Sequence, residues 1–446
     1  MPQRSWDAVV VGAGPGGCAA ALCLARAGAS VALVDKARFP RDKACGDLVG
    51  PRGVVLLQEL GLVPPGAVEV GDMEVIGPTG GRVRLPALPG LTFPGLAWSV
   101  PRSELDAGLR EAALDAGAEP IVGRVGGVVT GGSPAPGEGP APGEGLAPGD
   151  GAVPSEGGVG GVVLDDGHQL RAPVVVGADG ATSAVASSLG MHDAGRSLQG
   201  FALRAYVEAE LALPVIAFWD PVPGQGFPGY GWAFPGPGGR ANVGLGLATG
   251  PGRRQGSRAA RELDAFLEPL RRLGVLPGGA TPERRLGGWL RMGMLGTVPA
   301  RRGALLVGDA AGLVNPLQGE GIAQALESGL AAARATVEHG SAAAAAYTSW
   351  IRRHQQRYQG SAAALQSAVL PRPRLVSLIG RVLTHPLVGP RLAPGWGLYW
   401  NALTEGAAPG PGRWPAVAAD LAVRAASAAS PARRELAASL SHPPPD

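Results

Sequence analysis

Four consecutive apolar residues, Ala8-Val9-Val10-Val11, run straight into Gly12-Ala13-Gly14-Pro15-Gly16-Gly17. Such a run reads as a buried strand, and the small residues after it as a tight turn that opens a helix. Gly12 permits the turn, Gly14 lets the backbone approach a ligand, and Gly17 lets the helix pack on the strand, with Pro15 at the helix start. Free amides at that start face an anion, the arrangement that holds a pyrophosphate. A second strand, Val31-Ala32-Leu33-Val34-Asp35, ends in a carboxylate 18 residues after Gly17, with Lys36 beside it. Asp35 suits the ribose hydroxyls of an adenosine half and would repel a 2'-phosphate, which favours FAD or NAD over NADP.

Two later segments repeat the pattern of strand and acidic glycine turn. Val176-Gly177-Ala178-Asp179-Gly180 and Leu306-Val307-Gly308-Asp309-Ala310-Ala311 stand at the separations of a flavin site. Gly308 and Asp309 end a strand where the carboxylate accepts a hydrogen bond from a ribityl hydroxyl. Asn315-Pro316-Leu317-Gln318-Gly319-Glu320-Gly321-Ile322 then opens a second helix through small residues. Its amides, around Gly319, Gly321 and Ile322, are predicted to face the flavin ring and to favour the anionic reduced form by about 0.3–1 kcal/mol. Pro101 to Leu109 reads as another helix start, with Arg102 placed to reach a phosphate or cofactor oxygen or to stand in solvent. Together these motifs predict FAD.

At 446 residues the chain exceeds one typical core, so two domains are expected. The formal charge of +3 is too small to argue for nucleic acid. Cys18, Cys23 and Cys45 show neither a disulfide framework nor metal-ligand spacing, which predicts metal-free chemistry in the cytosol. No charged leader precedes an apolar stretch and no run reaches a membrane span, so a soluble protein, at most peripheral at the inner membrane face, is expected.

The composition divides the chain. Residues 131–160 lose all apolar period to Pro-Gly-Glu-Gly and Ala-Pro-Gly repeats and read as a flexible insertion between the arms of a hairpin, Gly126–Val129 and Gly161–Leu164. From Gly200 to Ala248, short alternating strands predict an antiparallel sheet. The expected organisation is α/β: a Rossmann-like FAD-binding domain (1–72, 98–195 and 290–345) whose flavin motifs resemble the aromatic-hydroxylase type, interleaved with an antiparallel β-sheet substrate domain (73–97 and 196–289). A helical C-terminal region, 346–446, follows, its apolar segments closing a substrate tunnel or resting on a membrane. Its tail from Ser430 is expected to fray.

Two segments carry a resemblance. Phe39-Pro40-Arg41-Asp42-Lys43-Ala44-Cys45-Gly46-Asp47 is similar to the Pro-x-x-Lys-x-Cys-Gly loop, and Pro228-Gly229-Tyr230-Gly231-Trp232-Ala233-Phe234-Pro235 to the Tyr-x-Trp-x-Phe-Pro motif, of the geranylgeranyl reductase family of FAD-dependent oxidoreductases. Within it the chain resembles the actinobacterial menaquinone side-chain reductases in both motifs. It departs where Leu48-Val49-Gly50 follows Asp47 in place of an immediate glycine.

The resemblance implies hydrogenation of isoprenoid double bonds, in a geranylgeranyl group or a menaquinone side chain, by hydride from reduced flavin N5 with protonation of the other carbon. The substrate would be an isoprenoid lipid or a prenylated small molecule. An acid must face the bond, and Cys45, followed by Gly46, is the candidate donor. Tyr230, Trp232 and Phe234 alternate on a strand and so share one face, an apolar wall for an isoprenoid chain. Lys43 and Arg41 are candidates for a cofactor phosphate or a substrate diphosphate. No second glycine-rich dinucleotide fold appears, which leaves visiting NAD(P)H or a small redox protein as electron donor. A monooxygenase tailoring a small aromatic or polyketide-like molecule, and a flavin- or lipid-binding protein without turnover, fit the glycine motifs equally well.

Overall fold

The computed structural model describes residues 5–85, 87, 96–130, 158–220, 229–249 and 259–392, positions 421, 425 and 428, and residues 430–441. Ala8–Val11, buried along its whole length, lies near the middle of a six-stranded sheet. Val31–Asp35 and then Glu119–Val122 run parallel to it on one side. Val174–Gly177 and then Ala304–Leu306 do so on the other, and Ala300–Arg301 closes that edge antiparallel. Near-continuous valine and leucine are what strands covered on both faces require.

The helix that follows the glycine turn, Pro15–Arg26, crosses the one that follows the Asn315 segment, Ile322–His339. Glycine makes the crossing close: a Cβ on Gly329 would stand 2.2 Å from the Gly16 carbonyl oxygen. The neighbour there is backbone, which cannot swing aside. Gly329→Val is therefore expected to destabilise the fold by about 1–3 kcal/mol, the usual cost of overpacking. A lower midpoint in urea unfolding at unchanged slope checks it.

The second sheet has seven strands, in the order Glu283–Met292, Leu198–Glu208, Arg240–Thr249, Gly229–Pro235, Val215–Ala217, Met73–Ile76 and Arg82–Leu85. All neighbours are antiparallel except Val215–Ala217 with Met73–Ile76. The period of two sorts its side chains. Ala233 and the open face of Gly231 meet the helix Ala259–Arg272, whose Phe266 ring lies where a Gly231 Cβ would be, and Tyr230, Trp232 and Phe234 point the other way, toward the flavin-binding half.

Val125–Thr130 pairs with Val159–Leu164 as the predicted hairpin, while most of the predicted insertion, 131–157, lies outside the described residues. Ala343–His354, Gln356–Val369 and Pro373–Leu383 form the C-terminal helices. The tail corrects its expectation: Pro431–Ser441 is a helix packed on Gln356–Val369, with Leu436 and Leu440 buried. Arg352 donates to the Leu440 carbonyl, and Glu435 pairs with Arg196 at 2.9 Å. Pro431 suits a first helical turn and the two leucines share a face at i and i+4, a short signal easily hidden among alanines and arginines. Among the described residues no helix is long and apolar enough to cross a membrane.

Candidate functional site

The glycine turn is a cradle only glycine can line. Gly12 sits at φ +99°, and a Cβ there would come 2.4 Å from the Ala178 carbonyl oxygen; one on Gly17 would come 1.8 Å from the Gly12 carbonyl oxygen. Thus the first and second motifs touch, with their backbones forming one floor. The helix start at Gly14 and Pro15 carries no side-chain cap and no acid in its first turn, so its amides remain available to an anion.

Charges flank the cradle. Asp35 accepts from the backbone N–H of Ala13 and of Ala37, both at 2.8 Å, which fixes its carboxylate at the strand end. Arg41 reaches back over Gly14 and pairs with buried Asp106 at 3.0 Å. Arg102 pairs with the same carboxylate, through Nε at 2.8 Å and Nη2 at 2.7 Å. Burial opposes the Arg102 charge, yet Asp106 and Cys45 hold it firmly protonated. Lys36 is exposed beyond the strand. Asp179 accepts from Ser183 Oγ at 2.5 Å and from the N–H of Ala184 at 2.6 Å; its carboxylate thereby starts the short helix Ala184–Ser188 and leaves the Ala178 backbone to meet Gly12.

The third motif brings the buried Asp309 Oδ2 to 3.6 Å from Lys43 Nζ, an ion-pair distance too long for a hydrogen bond, and that oxygen has no hydrogen-bond partner. A buried acceptor left open calls for a donor, and a ribityl hydroxyl would be one. Gly321, beside Asp309, is the N-cap of Ile322–His339. The predicted free helix start is partly occupied: Glu320 accepts from the Ala323 N–H at 3.0 Å. Burial raises the Glu320 pKa, against the pull of that N–H, Gln324 and Arg52.

Cys45 sits on a loop held from below by a buried network. Asp47, at φ +62°, accepts from Tyr206 OH at 2.5 Å, from Asn242 Nδ2 at 2.8 Å and from the Arg102 N–H at 3.3 Å. Asn242 also donates to the Cys45 carbonyl and accepts from Trp232 Nε1, both at 2.9 Å. Gly46 lets the loop press on the aromatic wall, because a Cβ there would lie 2.9 Å from the Phe234 ring. Burial raises the Cys45 pKa and the Asp47 carboxylate adds to the rise, while the nearby Arg102 charge pulls it down. Asp47→Ala would leave these donors unpaired, at about 1–3 kcal/mol for each that stays buried. A fall in the denaturation midpoint with a largely retained FAD content is the expected result.

These parts share one cavity. Pro15, Lys43, Cys45, Gly46, Arg102, Asp309, Gly319, Gly321 and Ile322 line it together with the aromatic residues Tyr230, Trp232 and Phe234 and the aliphatic residues Val369, Leu370, Val376 and Ile379. Trp232 and Phe234 stack with ring centroids 6.3 Å apart, and Tyr230 donates to the Gln318 carbonyl. Among the described lining residues the cations are Lys43 and Arg102, both already paired with carboxylates. Gln366, buried and also lining the cavity, keeps an amide oxygen without a hydrogen-bond partner.

Residues 5–119 match the model of an FAD-binding domain family. The menaquinone reductase of Mycolicibacterium smegmatis is 36% identical over 387 residues, 84% of this chain and 87% of that one. The chain belongs to the geranylgeranyl reductase family of FAD-dependent oxidoreductases. Digeranylgeranylglycerophospholipid reductase 2 of Methanopyrus kandleri, another family member, is 30% identical over 79% of this chain and 82% of its own. A crystal structure of a geranylgeranyl bacteriochlorophyll reductase-like protein from Thermoplasma acidophilum superposes with a TM-score of 0.69 at 20% identity, covering 98% of this chain and 100% of that one. That likeness shows the fold, in which an FAD-binding α/β half and an antiparallel sheet enclose the cavity.

FAD fits the residues present: the glycine floor has no room for side chains, and Asp309 offers an orphaned acceptor. Asp47, Tyr206, Asn242, Glu320 and Gln366 escape sequence reasoning. For Glu320 a signal existed, since an acid three residues before Ala323 at a helix start is the spacing of a side-chain cap.

Proposed function

We propose that this flavoprotein hydrogenates carbon–carbon double bonds of an isoprenoid chain carried by a neutral quinone, menaquinone, rather than by a prenyl diphosphate. The observation behind this reading is the cavity, lined along Tyr230, Trp232, Phe234, Val369, Leu370, Val376 and Ile379 by apolar groups, with Arg102 already committed to Asp106 and Lys43 standing beside Asp309. A diphosphate against those apolar residues would lose water with no cation among them to replace it, at a cost of several kcal/mol. An isoprenoid chain loses nothing of the kind and gains about 0.8 kcal/mol for each buried CH₂. The relative from Mycolicibacterium smegmatis, named a menaquinone reductase, points the same way.

Gly12, Gly14 and Gly17 with the Pro15 helix start would hold the FAD pyrophosphate, with Arg41 near enough to add its charge, Asp35 would take the adenosine ribose and Asp309 the ribityl chain. Reduced FAD supplies hydride when bound. Cys45 supplies the proton from Sγ: burial and the Asp47 carboxylate keep the thiol protonated, and the Arg102 charge favours the thiolate left behind. Tyr230, Trp232 and Phe234 hold the chain flat and exclude water. The reductant of FAD is a nicotinamide or a small redox protein.

Menaquinone and geranylgeranyl diphosphate, offered at equal concentration to the chemically reduced protein without oxygen, test the choice. Two added hydrogens per saturated bond in the menaquinone side chain, and an unchanged diphosphate, are expected. Preferential hydrogenation of the diphosphate would overturn the reading.

A further inference from the structure

The helix Pro373–Leu383 is apolar on two sides. Its inward side is accounted for: Val376 and Ile379 line the cavity, Ser377 donates to Asp220 at 2.6 Å, and Gly380 lets the backbone lie against Pro78 and Phe218. Its outward side is not. Leu378 is 56% exposed and Leu387, in the turn beyond, 69%, with Val382, Val388 and Leu392 exposed along the same stretch. Exposed arginines stand among them, Arg372, Arg374, Arg381 and Arg391, and the sequence from Pro371 to Leu392 contains neither Asp nor Glu. Single exposed leucines are ordinary; five large apolar residues within 15 positions, interleaved only with positive charge, are not.

We infer that this face docks on an anionic lipid bilayer, with the leucines and valines entering the headgroup boundary and the arginines meeting lipid phosphates. The charge selects the occupant. Apolar residues with arginines are the pattern of an interfacial helix, and a stretch whose own charges are all positive, with Asp220 held on its inward side by Ser377, is attracted to the negative leaflet over about a Debye length. A protein partner or a second copy of the chain would have to bring its own acidic surface. The placement gives the docking a use, which rests on the isoprenoid reading above: the inward side of the same helix lines the cavity through Val376 and Ile379. A water-insoluble chain leaving the bilayer would then pass along one helix without crossing solvent.

Co-sedimentation of the FAD-loaded full chain with vesicles tests this, comparing phosphatidylglycerol in phosphatidylcholine with phosphatidylcholine alone. At least tenfold stronger binding to the anionic vesicles is expected, falling as salt rises. Arg374→Glu with Arg381→Glu, and separately Leu378→Ser with Leu387→Ser, should each lose most of that binding. FAD content and turnover of a detergent-dispersed short-chain menaquinone should stay within about twofold. Wild-type protein that ignores anionic vesicles, variants that bind as well as wild type, or a dimer that covers this face and excludes vesicles would overturn the inference. Vesicle binding as expected with no hydrogenation of menaquinone would leave the docking face standing and sink the substrate reading alone.

Discussion

Cys45→Ala is expected to lower hydrogenation by about 10²–10⁴-fold, the usual contribution of a positioned general acid. Bound FAD and its reduction should be unaffected. The substitution removes only the sulfur: the Cys45 carbonyl keeps its hydrogen bond from Asn242, and Asp47 keeps Tyr206 and Asn242, so the loop holds its shape. Cys45→Ser tests the acid itself, since an alcohol of similar size gives up its proton far less readily and should rescue little. The pH profile separates chemistry from packing. Burial raises the thiol pKa, so the wild-type rate should persist through neutral pH and fall only once the thiol ionises, above the ordinary thiol range of about 8.5. The residual rate of the alanine variant should lack that fall. Equal losses in FAD content and turnover, with an unchanged profile, would make Cys45 a packing residue.

Gly12→Val should abolish FAD retention. Two independent penalties coincide there: φ +99° strains any residue with a Cβ, and the added atom would meet the Ala178 carbonyl, which is backbone. Relief requires the glycine turn and the Gly177-Ala178-Asp179 turn to part, which opens the floor that the pyrophosphate needs. The purified variant is expected to lack flavin absorbance and to show at least a hundredfold weaker FAD binding in fluorescence titration. A yellow variant with near-normal affinity would remove Gly12 from the cofactor site.

What the sequence made legible is what short-range pattern encodes. The strand and turn at Ala8–Gly17, the hairpin around 131–157, and the alternation that puts Tyr230, Trp232 and Phe234 on one side of a strand all lie within a few residues of one another. The support beneath Cys45 does not. Asp47 meets Tyr206 and Asn242 across 159 and 195 positions, a pairing that only the assembled second sheet creates, and nothing in the local sequence of Asn242 marks it. The Asn315–Ile322 segment illustrates the limit of motif reading: its glycines predicted an open helix start, whereas the Glu320 side chain folds back onto the Ala323 N–H. In the tail, high alanine content hid a helix that only Leu436 and Leu440, packed on a neighbour, make worth forming.

The central claim, hydride and proton delivered to an isoprenoid double bond, is tested most directly by a single anaerobic turnover. Chemically reduced protein is mixed with menaquinone, flavin absorbance is followed, and the lipid is then exposed to air before its mass is read. The air step matters because a quinone ring can itself take two electrons from reduced flavin, and the resulting quinol returns to quinone in oxygen. Flavin reoxidation with two hydrogens that survive aeration and map to the side chain is the predicted result. Reoxidation that leaves the side-chain mass unchanged after aeration would contradict the account, as would a flavin that stays reduced.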